Sequence, residues 1–217
     1  PGVCLLYRCK KITENSDAFT LAKESNIIKE GEMRRYMIMP LMEKDYYTIK
    51  DIEELPEGER AELIDGQIYM LATPSTRHQR LSRFLFKKID SYIESKKGKC
   101  EVFYAPFGVF LKNEKWGEDF VEPDLMVICD PNKVDEKGCH GAPDWVIEIV
   151  SPSSKMRDYL QKANLYMNNG VREYWIVDPV REVTVVYKRE EEGFPVIYKF
   201  GEPVKAGIYE ELEITIK

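Results

Sequence analysis

Two carboxylates stand where the sequence otherwise asks for hydrocarbon. Glu148 lies inside Trp145-Val146-Ile147-Glu148-Ile149-Val150, and Asp124 follows Glu122-Pro123 and opens Asp124-Leu125-Met126-Val127-Ile128. Both runs read as strands covered on both faces, where an unpaired acid faces a large desolvation cost. Asp124 shares a strand face with Met126 and Ile128, the covered side. If the two strands are neighbours, the carboxylates converge. Two hard oxygen donors, with water completing the shell, suit Mg²⁺ or Mn²⁺. The plainer account is two structural acids, one matched to an arginine and one capping a turn.

The surrounding pattern supplies elements to hold these acids. A capped helix reads over 48–55, stopped by Pro56 and Gly58. Strands at 61–64 and 67–71 flank Asp65-Gly66, a strong hairpin signal. A helix over 77–96 carries the stripe Leu81, Phe84, Leu85, Ile89, Tyr92 and Ile93. A strand over 101–111, interrupted near Pro106 and Gly108, precedes the two acid-bearing strands, which a polar loop at 130–141 separates. Ser151-Pro152-Ser153-Ser154 then turns the chain into a helix over 155–168. Its apolar arc is Met156, Tyr159, Leu160, Ala163, Tyr166 and Met167, and Asn169-Gly170 ends it. Strands at 173–177, 182–188 and 195–200 follow, with a last one near 212–216. This order describes an α/β domain with a mixed sheet.

Composition bounds the function. The chain has 217 residues, 43% hydrophobic and 32% charged, with a net charge of -6. That is enough for one sizeable core. An acidic chain is not a general nucleic-acid binder, so any such binding needs a local basic patch. The helix from Arg77 onward offers one, with Arg80, Arg83 and Lys87 sharing a face. An ordinary solvated face explains the same residues. No apolar run approaches the ~18 residues of a membrane span. The five cysteines form no CxxC pair, which reads as reduced thiols and a cytoplasmic setting. Cys139-His140 has no second pair nearby to complete a zinc site. Residues 1–38 show no sustained period and read as an extension or accessory segment, with the patterned domain at 39–217.

Taken together, the motifs resemble the PD-(D/E)xK nuclease superfamily, and within it the Uma-type putative restriction endonuclease family, long catalogued as a domain of unknown function. Glu122-Pro123-Asp124 supplies the Pro-Asp, and Asp144 to Ser153 resembles the second motif. Gly170 to Pro179, Glu62 to Gly66 and Pro74 to Gln79 also match, over about residues 43–217. The resemblance implies a restriction-endonuclease-like mixed β-sheet flanked by helices. It implies a Mg²⁺- or Mn²⁺-dependent endonuclease acting on DNA, with Asp124 and Glu148 as metal ligands. A homodimer would supply two active sites. The alternative is a nucleic-acid-binding or regulatory protein that has lost catalysis on the same scaffold.

One position departs from the pattern. The superfamily lysine two residues after the second acid is Val150 here. The resemblance implies that the lysine has moved to the following helix, as Lys162, with Lys155 a weaker candidate. At helical spacing Lys162 borders the apolar arc beside Tyr159 and Tyr166, from where a long side chain can reach the acids. By the same resemblance Glu62 is an early acid of the site, and His78 reaches its mouth.

Overall fold

The computed structural model describes residues 44–191 and 194–217. The expected extension at 1–38 lies outside the described residues. From Tyr46 onward the chain forms one compact unit. Its helices are α1 (Ile49–Glu53), α2 (Thr76–Ser95) and α3 (Ala163–Asn169).

Strands β1 (Ala61–Ile64), β2 (Gln67–Met70), β4 (Val109–Asn113), β5 (Gly117–Val121), β7 (Val134–Asp135) and β8 (Gly138–His140) form one sheet, ordered β2-β1-β5-β4-β8-β7. A second sheet contains β3 (Glu101–Tyr104), β6 (Leu125–Ile128), β9 (Trp145–Ile149), β10 (Glu173–Asp178), β11 (Val183–Lys188) and β12 (Val196–Lys199). Its order is β12-β11-β10-β9-β6-β3. A ribbon of β13 (Pro203–Lys205) and β14 (Glu213–Thr215) completes the unit. The sequence pattern had predicted a single mixed sheet. The difference comes from β5, β7 and β8, which are short and carry too few apolar residues to show strand alternation.

The central strands β6, β9 and β10 of the second sheet are buried on both faces, which explains their near-continuous hydrocarbon. Leu125, Val127, Trp145, Ile147 and Ile149 pack toward the α2 stripe of Leu81, Leu85, Ile89 and Ile93. Met126, Ile128, Val146 and Val150 pack the other way, with Val109 and Val121 of the first sheet and with Ala163 and Tyr166. Period-two alternation therefore places Asp124 and Glu148 on this second face.

The chain leaves β9, runs through a helix over 155–169 and returns as β10, parallel to β9. The first part of that helix is π-helical over Arg157–Lys162 before α3 begins. The local period is no longer 3.6, and the predicted face is wrong there. Met156 and Leu160, expected in the apolar arc, are 76% and 59% exposed, whereas Asp158 and Lys162 are 1% and 3% exposed. Gly170 ends the helix in the left-handed region, at φ 97°.

Cys100 and Cys129 form a disulfide. This corrects the expectation of reduced thiols. Strands β3 and β6 pair with Glu101 opposite Ile128, so Cys100 and Cys129 are the next cross-strand partners. A separation of 29 residues hides that register in the sequence. Cys139 is buried and unpaired, and Cys4 and Cys9 lie outside the described residues.

Strand β12 is the outer strand beyond β11, and it exposes Val196 and Ile197. The Phe200 N–H bonds the Glu182 carbonyl. Alternation then turns the backbone of Val196 and Tyr198 toward β11 and that of Pro195, Ile197 and Lys199 outward. Proline has no N–H, and the Lys199 N–H donates to the Glu202 carboxylate at 2.7 Å.

Candidate active site

Strand pairing creates the centre of the site. β6 and β9 run antiparallel with Leu125 opposite Ile147, so the next step brings Asp124 opposite Glu148. Asp124 Oδ2 accepts the Ile149 N–H at 2.7 Å and meets His78 Nε2 at 3.0 Å. Glu148 Oε1 accepts both the Lys162 ammonium and the Tyr166 hydroxyl, each at 2.8 Å. Lys162 Nζ also lies 2.7 Å from Glu62 Oε1 and 3.9 Å from Asp158 Oδ1. Thus the first sheet contributes Glu62, the second Asp124 and Glu148, and the π-helical turn Lys162. All four line one cleft of about 560 Å³.

The carboxylates at the centre of this cluster repel one another. Glu62, Asp124 and Asp158 each act on Glu148, and Lys162 is the cation that opposes them. Burial drives the Glu148 carboxyl well above its usual range. Lys162 opposes that shift, while Asp124, Asp158 and Glu62 add to it. Burial likewise raises Asp158 to about 6, against the pull of Lys162 and the Ser154 hydroxyl. For Lys162, burial favours the neutral amine, but Glu148, Glu62 and Asp158 together outweigh it and keep the ammonium charged. His78 follows the same logic: burial lowers its pKa, and the hydrogen bond and charge of Asp124 reverse the shift.

A divalent cation would offset this repulsion between carboxylates. Among the described residues, no group of three or more His, Cys, Asp or Glu is arranged to hold a metal. The residues that could hold one are Asp124 and Glu148, whose side-chain hydrogen bonds fall on Oδ2 and Oε1 respectively. Two hard carboxylates that line one cleft fit a small divalent cation.

The other predicted residues divide. Glu62 and His78 border the cleft. Lys155 is exposed and outside it, while Val150 is 5% exposed and packs in the core on the Glu148 face. Arg80, Arg83 and Lys87 do not line the cleft. They border a separate groove with Glu211 and Glu213, on the opposite flank of the α2 surface from His78. Cys139 and His140 diverge: the thiol bonds the Gly141 carbonyl, and the imidazole stacks on Phe110.

Asp158, Arg157 and the Tyr166 hydroxyl escaped the sequence reading. Asp158 Oδ2 accepts from Ser154 Oγ at 2.6 Å, tying the serine turn after β9 to the Lys162 helix. Its only signal was a four-residue step to Lys162 in the sequence. Tyr166 carried a fair signal, because a buried tyrosine hydroxyl needs a partner.

The fold and the cleft define a restriction-endonuclease-like α/β protein. Residues 45–215 match the family model Uma2, described as "Putative restriction endonuclease", and the chain belongs to that family. Among curated proteins, uncharacterized protein slr1290 of Synechocystis sp. is 26% identical over 138 residues, 63% of this chain and 70% of that protein. Among solved structures, a putative nuclease belonging to DUF820 from Anabaena variabilis superposes with a TM-score of 0.64 at 21% identity. The match covers 77% of this chain and 94% of that one, and it establishes likeness of fold.

Proposed function

We propose that the chain is a divalent-metal-dependent nuclease that hydrolyses phosphodiester bonds in DNA. One observation carries the reading: the Lys162 ammonium lies 2.8 Å from Glu148 and 2.7 Å from Glu62, in the cleft that also holds Asp124. The family description supports it, as does the fold shared with a protein titled a putative nuclease.

Asp124 and Glu148 would hold Mg²⁺ or Mn²⁺, which when bound supplies Lewis-acid charge and a more acidic water. The Ile149 N–H and His78 fix the Asp124 carboxylate, and Tyr166 with Lys162 fixes Glu148. Lys162 stays protonated, so it serves as a fixed positive charge beside the attacked phosphate and not as a proton acceptor. Glu62 holds the ammonium from the opposite sheet. Water adds to phosphorus, the P–O ester bond to the leaving strand breaks, and the proton released by water balances the one taken up by the leaving oxygen.

The test uses supercoiled plasmid and labelled DNA duplexes with Mg²⁺ or Mn²⁺. The wild type should convert them to nicked or cut products, and Lys162→Ala and Glu148→Gln should not. Equal cleavage by the purified variants would assign the activity to a contaminant or to another site.

A further inference from the structure

Among the described residues five cationic side chains line the cleft, and four of them make hydrogen bonds. Arg60 hydrogen-bonds Glu122, Arg77 reaches Glu182 at 3.4 Å, His78 meets Asp124 at 3.0 Å, and Lys162 bonds Glu148. Arg157 is the fifth. Its side chain is only 13% exposed, yet its buried Nε has no hydrogen-bond partner. The nearest acid oxygen, Glu62 Oε2, is 3.7 Å away, too far for a hydrogen bond, and is itself unsatisfied.

The guanidinium is nevertheless held in place. It lies 4.9 Å from the Tyr69 ring centroid, a cation–π distance. The Tyr69 hydroxyl is in turn fixed by Gln161, whose amide donates at 3.0 Å. Arg157 and Gln161 both belong to the π-helical turn that carries Lys162. A buried guanidinium Nε without a hydrogen-bond partner is costly unless a ligand completes it. Its planar fork of donors matches two oxygens of a phosphate.

We infer that Arg157 is a substrate-binding residue that grips the non-bridging oxygens of a nucleic-acid phosphate in this cleft, with Tyr69 as its platform. The inference rests on the nuclease reading and names a contact that the acids and Lys162 do not provide. Glu62 screens the guanidinium without saturating it.

Steady-state cleavage of a short fluorescein-labelled DNA duplex, followed in Mg²⁺ over a range of KCl, tests the assignment. Arg157→Gln should raise KM roughly 10- to 100-fold, with kcat much less affected. It should also flatten the dependence of log(1/KM) on log[KCl] by about 0.9, the signature of one lost phosphate contact. Arg157→Lys should recover the salt slope but only part of the affinity, because the fork is gone. Tyr69→Leu should raise KM at an unchanged slope, and it covers the case in which Arg157→Gln folds poorly. A wild-type KM and slope in Arg157→Gln would overturn the inference while leaving the nuclease reading intact. So would a loss confined to kcat, which would make Arg157 only a counter-ion of Glu62. A wild-type protein that neither binds nor cuts any DNA would remove both.

Discussion

The carboxylate of Asp124 accepts a hydrogen bond, 2.7 Å long, from the backbone N–H of Ile149, the residue next to Glu148. One acid thus fixes the strand end that presents the other. Asp124→Ala should leave that N–H without its partner, at about 1–3 kcal/mol. It should also abolish Mn²⁺ binding in titration calorimetry. Undiminished binding in the variant would move the metal away from Asp124.

Lys162 is the keystone between the sheets, so its removal reaches beyond activity. Lys162→Met strands Glu62 and Glu148, which are 0% and 4% exposed. Breaking such a buried pair costs about 3–5 kcal/mol. Denaturant unfolding should show that loss near neutral pH. The loss should shrink on acidification, because burial holds the Glu148 carboxyl well above its usual range and it takes up a proton as the pH falls. A Lys162→Met/Glu62→Gln double variant should recover part of the stability.

Asp158 supplies a pH test with a defined sign. Its folded pKa is about 6, above the ordinary 3.8, so the folded state binds the proton more tightly than the unfolded state. Ionisation therefore costs stability. The cost is absent below about 3.8, grows with rising pH and is complete above about 6. Asp158→Asn keeps an acceptor for Ser154 and removes that charge. It should be more stable than the wild type at pH 8, on the order of 1–3 kcal/mol. The advantage should vanish near pH 4. A constant difference across this range would show that the carboxylate does not titrate as described.

The disulfide makes a counting prediction. With Cys4 and Cys9 changed to serine, the unfolded chain should show one reactive thiol, Cys139, before reduction and all three remaining cysteines after it. Reduction should lower the melting temperature, because it frees a 29-residue loop in the unfolded chain. Three thiols without reductant would return the protein to the reduced state expected from cysteine spacing.

The acids were legible because a charge inside a hydrocarbon strand contradicts its surroundings, and Asp124 and Glu148 both did so. Strand alternation also identified the face on which Asp124, Met126 and Ile128 lie. The position of Lys162 came from resemblance, since helical spacing put it only at the edge of the apolar arc. Asp158 and Arg157 were hidden for one physical reason: the π-helical turn shifts side chains off the 3.6-residue period that a sequence reader must assume. The sheet that contains β1, β4 and β5 was hidden differently. β5, as Gly117-Glu118-Asp119-Phe120-Val121, is held by its neighbours β1 and β4 and not by its own propensity.

Strand β12 bears on how copies of this protein can meet. Its outward rim offers one ready N–H, from Ile197, because Pro195 has none to give and Glu202 occupies that of Lys199. A neighbour arriving edge to edge would find too few donors to continue the ladder. The exposed Val196 and Ile197 thus sit on an edge whose shortage of free donors disfavours pairing with a further strand.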